Sequence, residues 1–403
     1  MDTITHGIAG ALIGKAVFGG DEMFTLRPMN RGRVITGSLM LGAIFPDADV
    51  FREMVSHNPM LILTWHRSIT HSLICLPIFA LALAALTQWF ARWRKWDPPS
   101  FVALAGIYAV GIASHILLDL VTSFGTMIWS PLKWSRPAWD LIFIIDFTLS
   151  AIFLVPQILA WIYGKPENLR QRALWAWLIF VFATFVVAGI AQRVGAPISV
   201  EAILYAVVIF AALFLLPSIR GFGLKIKRAS WNLAGLVVAL CYIAAAFYAH
   251  QAAFARVEKF VALEHLEAQA VGTLPLPPSI WHWDGLVRAP HGVYEMRIDF
   301  GDAPADAGLP PGTSAQALPI EYRFYPDAPD NSYIEAAKHL SQVQTVLWFA
   351  RFPVIRFHKE GSDAIVEIAD IRFPHVRPDQ PASFTYQVRF GADGMVLSQG
   401  WEK

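Results

Sequence analysis

Residues 65–91 read WHRSITHSLICLPIFALALAALTQWFA, with two histidines and an arginine on the threshold of an apolar run, 73–91. That run approaches the roughly 20 residues needed to span hydrocarbon. Five more runs of this kind follow at 101–121, 141–163, 173–191, 202–216 and 233–254, the run at 202–216 being the shortest. Two shorter glycine-containing pieces, 4–18 and 34–45, precede them. Over 403 residues the chain is 55% hydrophobic and only 16% charged, too apolar for an ordinary soluble enzyme. The sequence predicts a polytopic α-helical membrane protein with about six long spans and two shorter N-terminal helices.

From about residue 256 the texture changes. Proline clusters (LPLPPS, GLPPGTS) give way to strand-like alternation in YEMRIDF, LPIEYRFYP, DAIVEIADIRF and SFTYQVRF. This predicts a C-terminal β-rich (α+β) soluble domain, in which NSYIEAAKHLSQVQTVLWFARF reads as one amphipathic helix. The expected divisions are 1–190 for a helical metal-site domain, 191–255 for additional spans and 256–403 for the β-rich domain.

The formal net charge is +1, and no long basic run is present, so nucleic acid is not an expected partner. Cys75 and Cys241 both lie in apolar runs and read as small buried hydrophobes, leaving no thiolates for a metal cluster. Asp2 occupies the place where a signal peptide carries basic residues, so the N-terminus is expected to be retained. Lysine and arginine concentrate on alternate loops: Arg27, Arg31 and Arg33; Arg92, Arg94 and Lys95; Lys165, Arg170 and Arg172; Arg220, Lys225, Lys227 and Arg228. Cytoplasmic loops carry this excess. The expected topology is multi-pass in a bacterial inner membrane, with the N-terminus and the C-terminal domain outside the cytoplasm.

In that topology one set of ionisable residues gathers at the outer ends of the spans. The set is His6, Asp47 and Asp49 in FPDAD, His66 and His71 in HRSITH, His115 and Asp119 in SHILLDL, and Asp140 and Asp146 in WDLIFIID. His115 and Asp119 stand four apart, on one face of a helix and about one turn from each other. His66 and His71 are five apart, about 140° on an ideal helix, so both face one ion only if His66 belongs to the loop before it. Imidazole and carboxylate without thiolate suit zinc, manganese or iron(II). Four histidines and up to five carboxylates exceed the ligands that one zinc takes, so two or more divalent ions are expected, zinc first among them. The metal set is His6, Asp47, Asp49, His66, His71, His115, Asp119 and Asp146. Asp140 and Asp146 also admit a reading as an N-cap and an interhelical hydrogen bond. Asp47 or Asp49, with Asp49 first, is a candidate base or bridging ligand, and Arg67 is a candidate clamp for an anionic oxygen or, equally, a group that reaches lipid headgroups or pairs with a structural carboxylate. Trp65, Trp89, Trp93, Trp129, Trp134 and Trp139 read mostly as an interfacial belt, and His57, His250 and the C-terminal histidines as structural or surface groups.

MDTITHGIAGALIG, FPDAD, HRSITHS and HILLDLVTSFGT, in this order, resemble the YdjM/YbcI-like family of inner-membrane-associated, membrane-bound metal-dependent hydrolases. The resemblance covers roughly the first 150 to 190 residues. It implies metal-binding roles for His6, Asp47, Asp49, His66, His71, His115 and Asp119. A weaker likeness, in the HxxxD pair, is to the zinc-dependent phospholipase C and P1-nuclease group; the second helical His-xxx-acid pair of that group is not found here, so Asp140 and Asp146 would have to substitute. The expected activity is metal-dependent hydrolysis of an ester or phosphoester in a lipid or lipid-linked substrate, with membrane lipids as partners. The alternatives are a metal or proton transporter using the same residues, and a metal-stapled structural or signalling protein.

Overall fold

The computed structural model describes residues 1–21, 29–56, 58–193, 198–277, 279–301, 321–373 and 384–402; Arg27, His57, His375 and the proline cluster at 308–314 lie outside them. In chain order the helices are α1 (Thr3–Val17), α2 (Arg31–Ile44), α3 (Val50–Val55), α4 (Leu61–Thr64), α5 (Leu76–Arg94), α6 (Phe101–Leu120), α7 (Phe147–Ile162), α8 (Leu169–Arg193), α9 (Val200–Arg220) and α10 (Arg228–Leu263). The strands β1 (Ala270–Leu276), β2 (His282–Ala289), β3 (Gly292–Asp299) and β4 (Tyr322–Pro326) follow. Helices α11 (Ser332–Lys338) and α12 (Ser341–Phe349) come next, then β5 (Pro353–Glu360), β6 (Asp363–Asp370), β7 (Thr385–Phe390) and β8 (Val396–Trp401).

Among the described residues, five stretches are long and apolar enough to cross a membrane: Arg31–Arg52, Leu76–Arg94, Phe101–Leu120, Pro166–Arg193 and Arg228–Leu263. Phe147–Ile162 and Val200–Leu216 are apolar but shorter. Two expectations change here. The 34–45 piece is part of a longer stretch, because α2 runs through a 3-10 turn (Phe45–Asp49) into α3. The run at 141–163 becomes helical only at Phe147, because residues ahead of it are held elsewhere: Arg351 donates to both oxygens of Asp140, at 3.0 and 2.8 Å, and the Phe143 N–H donates to Ser279 Oγ. Cys75 is half-buried and Cys241 exposed, so the expected burial of Cys241 is not found; it lies on a face of α10 open to the surroundings. Trp89, Trp93, Trp129, Trp134 and Trp139 are exposed.

The chain divides into two compact units. The first comprises Met1–Ala48, Thr70–Leu118 and Phe147–Tyr242; the second comprises Asp49–Ile69, Asp119–Asp146 and Ile243–Lys403.

In the first unit, Asp2 caps α1 by accepting from the Thr5 N–H, which starts the helix just ahead of His6. Small residues then set how closely the helices pack. A Cβ on Gly10 of α1 would lie 2.6 Å from the Leu39 carbonyl oxygen of α2, and one on Gly111 of α6 would lie 2.9 Å from the same atom. Glycine at these two positions therefore lets three backbones meet, the close approach that apolar surroundings reward. On α6 the buried residues Tyr108, Ile112, His115 and Asp119 recur at helical spacing, so one stripe carries both the packing and the polar pair.

The second unit holds two four-stranded antiparallel meanders, β1-β2-β3-β4 and β5-β6-β7-β8. Four of these strands, β3, β4, β6 and β7, fall on the stretches predicted as strands, although burial in β4 and β6 does not alternate. The LPL of the first proline cluster lies in β1, where Pro275 is tolerated because β1 is an edge strand and needs no donor on its outer side. Strand β2 shows no alternation because both of its faces are covered, and Gly285 within it would place a Cβ 2.5 Å from Val257 of α10. The predicted single helix at 331–352 is two, α11 and α12. Its buried pairs Ile334/Ala337 and Val343/Val346 would face opposite sides of one continuous helix, so the chain turns at Leu340 to an extended conformation and buries both. Met60, Leu63 and Phe124, from the segments between spans, join Val346, Phe349, Val366 and Val388 in one core cluster, each fully buried side chain contributing about 1.5–3 kcal/mol.

Burial pushes the Asp284 carboxyl of β2 up to about 7, with Arg297 Nε 3.5 Å away only partly opposing it. Because the folded pKa lies above the unfolded one of 3.8, the stability tied to this group is complete below pH 4 and is lost as pH rises through 7. Asp284→Asn is therefore expected to stabilise the chain at pH 8 by on the order of 2–4 kcal/mol and to change little at pH 4. Thermal unfolding at the two pH values checks this; an equal shift at both would contradict it.

Candidate metal centre

Three side chains of the first unit converge on one point. His71 sits in a 3-10 turn (Ile69–His71) and His115 on α6, both fully buried, while Asp47 lies on the 3-10 turn that extends α2. His115 Nε2 is 3.0 Å from His71 Nε2 and 3.4 Å from Asp47 Oδ1, and His71 Nε2 is 3.7 Å from the same oxygen. These separations match the roughly 3.3 Å edges of a tetrahedron of ligands about 2.0 Å from a zinc ion.

The surroundings fix which atoms face inward. His115 Nδ1 lies 2.6 Å from the Ala43 carbonyl, an acceptor only, so Nδ1 carries the proton and Nε2 presents a lone pair to the group. Thr3 donates from Oγ1 to Asp47 Oδ2 at 2.5 Å, leaving Oδ1 for the group. The ring of His6, also fully buried, stacks on His115 with centroids 3.7 Å apart.

Asp119 comes one turn after His115 on α6, so the helix sets its place. One ligand atom from each of Asp47, His71, His115 and Asp119 lies within 4.8 Å of the others. Two imidazoles and two carboxylates, mostly buried, fit a divalent cation, which would neutralise charge otherwise costly to bury.

The second unit holds a different arrangement. His66, in the turn after α4, has Nδ1 2.9 Å from Asp49 Oδ1, and the Arg67 backbone N–H donates to Asp49 Oδ2 at 3.0 Å. Arg67 adopts a left-handed backbone (φ 58°), which costs a non-glycine residue on the order of 1 kcal/mol or more and is kept where the surroundings over-determine it. Here they do: its guanidinium lies 3.0 Å from Asp119 Oδ1 and donates to Thr122 Oγ1 at 3.0 Å, while its carbonyl accepts from Met127 N–H.

Of the predicted metal set, the four-residue group thus includes Asp47, His71, His115 and Asp119. His6 stacks against it, and Asp49 and His66 pair with each other. Asp146 accepts from the Ser279 hydroxyl, and Asp140 from Arg351. The sequence reading missed Thr3 and the arginines Arg136 and Arg372. Arg136 donates to the carbonyls of Leu63, His66 and Gly125, tying together segments far apart in the chain. Burial, with the like charges of Arg67 and Arg372, pushes its guanidinium down to about 9. Nothing in KWSRPAW marks it; its carbonyl partners carry no side-chain signal.

Helices of membrane-spanning length together with this His/Asp group define a membrane protein equipped to hold a metal ion. Residues 1–196 match the model of the family described as YdjM inner membrane protein. The match covers the part of the chain that carries Asp47, His71, His115 and Asp119, and the β-rich domain lies beyond it. No curated protein and no solved structure matches the chain.

Proposed function

We propose that this protein is a metal-dependent hydrolase working at the extracytoplasmic face of the membrane, on an ester or phosphoester of a lipid or lipid-linked substrate. The observation that carries this reading is the convergence of Asp47, His71, His115 and Asp119 within 4.8 Å. The loop charges support the outward orientation of these residues and of the C-terminal domain. Their position at the ends of apolar helices supports a lipid, whose headgroup reaches that depth without leaving the bilayer.

A bound divalent cation, zinc first and manganese or iron(II) next, would supply Lewis acidity and a water acidic enough to react near neutral pH. The chain's own residues do the rest. His115 and Asp47 are held in ligating orientation by Ala43 and Thr3. Asp49 holds His66 through Nδ1 and so fixes the orientation of its ring beside Arg67. Arg67 fixes Asp119 and brings positive charge to oppose a developing anion.

The test is elemental analysis of detergent-purified protein, followed by assay of fatty-acid or phosphorylated-headgroup release from phospholipid vesicles with and without a chelator. The expected result is at least one equivalent of metal and turnover abolished by the chelator. Metal-free protein, or turnover that the chelator leaves intact, would contradict the reading.

A further inference from the structure

The C-terminal domain contributes none of the four residues of the group, yet it holds the two segments that follow and cap α6. The last carbonyls of a helix have no partners within it and must find them outside. At the end of α6 the Leu120 carbonyl accepts from Trp139 N–H at 2.7 Å, and the Val121 carbonyl accepts from Leu141 and Ile142 N–H at 2.8 and 2.9 Å. That 139–142 segment is anchored by Asp140, left-handed at φ 54°, and Arg351 of the C-terminal domain donates to both of its carboxylate oxygens.

From another direction comes Arg372, between β6 and β7. Its side chain is almost fully buried; it donates to the Ser123 carbonyl at 3.0 Å and the Phe349 carbonyl at 2.8 Å, and its Nε donates to Asp370 at 2.8 Å. Its guanidinium lies 4.7 Å from the Phe349 ring centre; that ring is 5.2 Å from Phe124, and Phe124 in turn lies under the guanidiniums of Arg136 and Arg67 at 4.8 and 5.1 Å. Ser123 and Phe124 belong to the turn that opens with Asp119, whose carbonyl accepts from both the backbone N–H and the hydroxyl of Thr122. A planar guanidinium with fixed donors is suited to holding two carbonyls and a carboxylate together.

We propose that the C-terminal domain clamps the end of α6, and that Arg372 is the positioning residue that fixes Asp119 through the Ser123 turn. This rests on the metal-site reading above and gives the domain a share in that site. Groups that orient metal ligands from behind typically control affinity by about 10–100-fold.

The test uses the full-length protein in detergent, comparing wild type with Arg372→Gln, Arg372→Lys and, as a control, Val287→Ala, which opens a cavity in the sheet core away from the turn. Hydrogen exchange is expected to rise at residues 119–126 in Arg372→Gln while β1 to β3 keep their protection. Zinc affinity is expected to fall about 10–100-fold in Arg372→Gln and less in Arg372→Lys, which keeps a donor. Val287→Ala is expected to lower thermal stability with zinc affinity unchanged. Unchanged protection at 119–126 would overturn the clamp, as would an equal affinity loss in Val287→Ala. If wild type takes up no metal, the proposed function falls and the exchange arm alone decides the clamp.

Discussion

His115→Ala is expected to lower metal affinity by at least about 100-fold and to remove the stabilisation that metal gives the folded chain. Substituting a group that merely orients a ligand costs about 10–100-fold, so loss of a ligand sets that range as a floor. His115 also holds the group together: its Nε2 is within 3.4 Å of both His71 Nε2 and Asp47 Oδ1, and its Nδ1 fixes the ring on Ala43. A ligand that binds only the folded state stabilises it by about 2.7 kcal/mol at 100 times its dissociation constant. Thermal unfolding with and without added zinc therefore reads the site without knowledge of a substrate. Wild type should shift upward by several degrees and His115→Ala should not shift. Equal shifts in both would remove His115 from the metal site.

Gly111→Leu is expected to have the second-largest effect, although residue 111 bears no functional group. A Cβ there would meet the Leu39 carbonyl oxygen at 2.9 Å and the Ala43 nitrogen at 3.1 Å, both backbone atoms that cannot swing aside. The helices must separate, at about 1–3 kcal/mol for overpacking. The separation falls where His115, one turn on, bonds to the Ala43 carbonyl, so the metal site should be lost with it. A Cβ on Gly106 of the same helix would have nothing within 4 Å, which makes Gly106→Leu the matched control. Metal titration of the two variants should give a loss of about 10-fold or more for Gly111→Leu and little change for Gly106→Leu. Similar results for the two would show that close packing of α2 and α6 does not build the site.

Much of the helical part was legible because apolar runs of span length are rare in chains that fold in water, and α5, α6 and α8 to α10 each fall on a predicted run. The spacing of His115 and Asp119 was enough to place them on one helical face. What spacing cannot reveal is which of several nearby carboxylates turns inward. Asp47 and Asp49 are two residues apart in one 3-10 turn, yet Asp47 joins His71 and His115, whereas Asp49 binds His66 and the Arg67 backbone. The Arg67 N–H that holds Asp49 is a backbone group and leaves no pattern in the sequence, and Thr3, which holds Asp47, lies 44 residues away from it. The same holds for Arg136 and Arg372, whose acceptors are mainly carbonyls. In the β-rich domain, β2 was hidden because burial on both faces removes the alternation that marks a strand.

X-ray absorption spectroscopy on zinc-loaded, full-length protein in detergent would read the coordination of the metal itself. The expected spectrum has a nitrogen and oxygen shell near 2.0 Å with the outer scattering of two imidazoles and no sulfur, one imidazole signal vanishing in His71→Ala. A shell without imidazole, or one unaltered by that substitution, would mean that the convergence of Asp47, His71, His115 and Asp119 does not bind the metal.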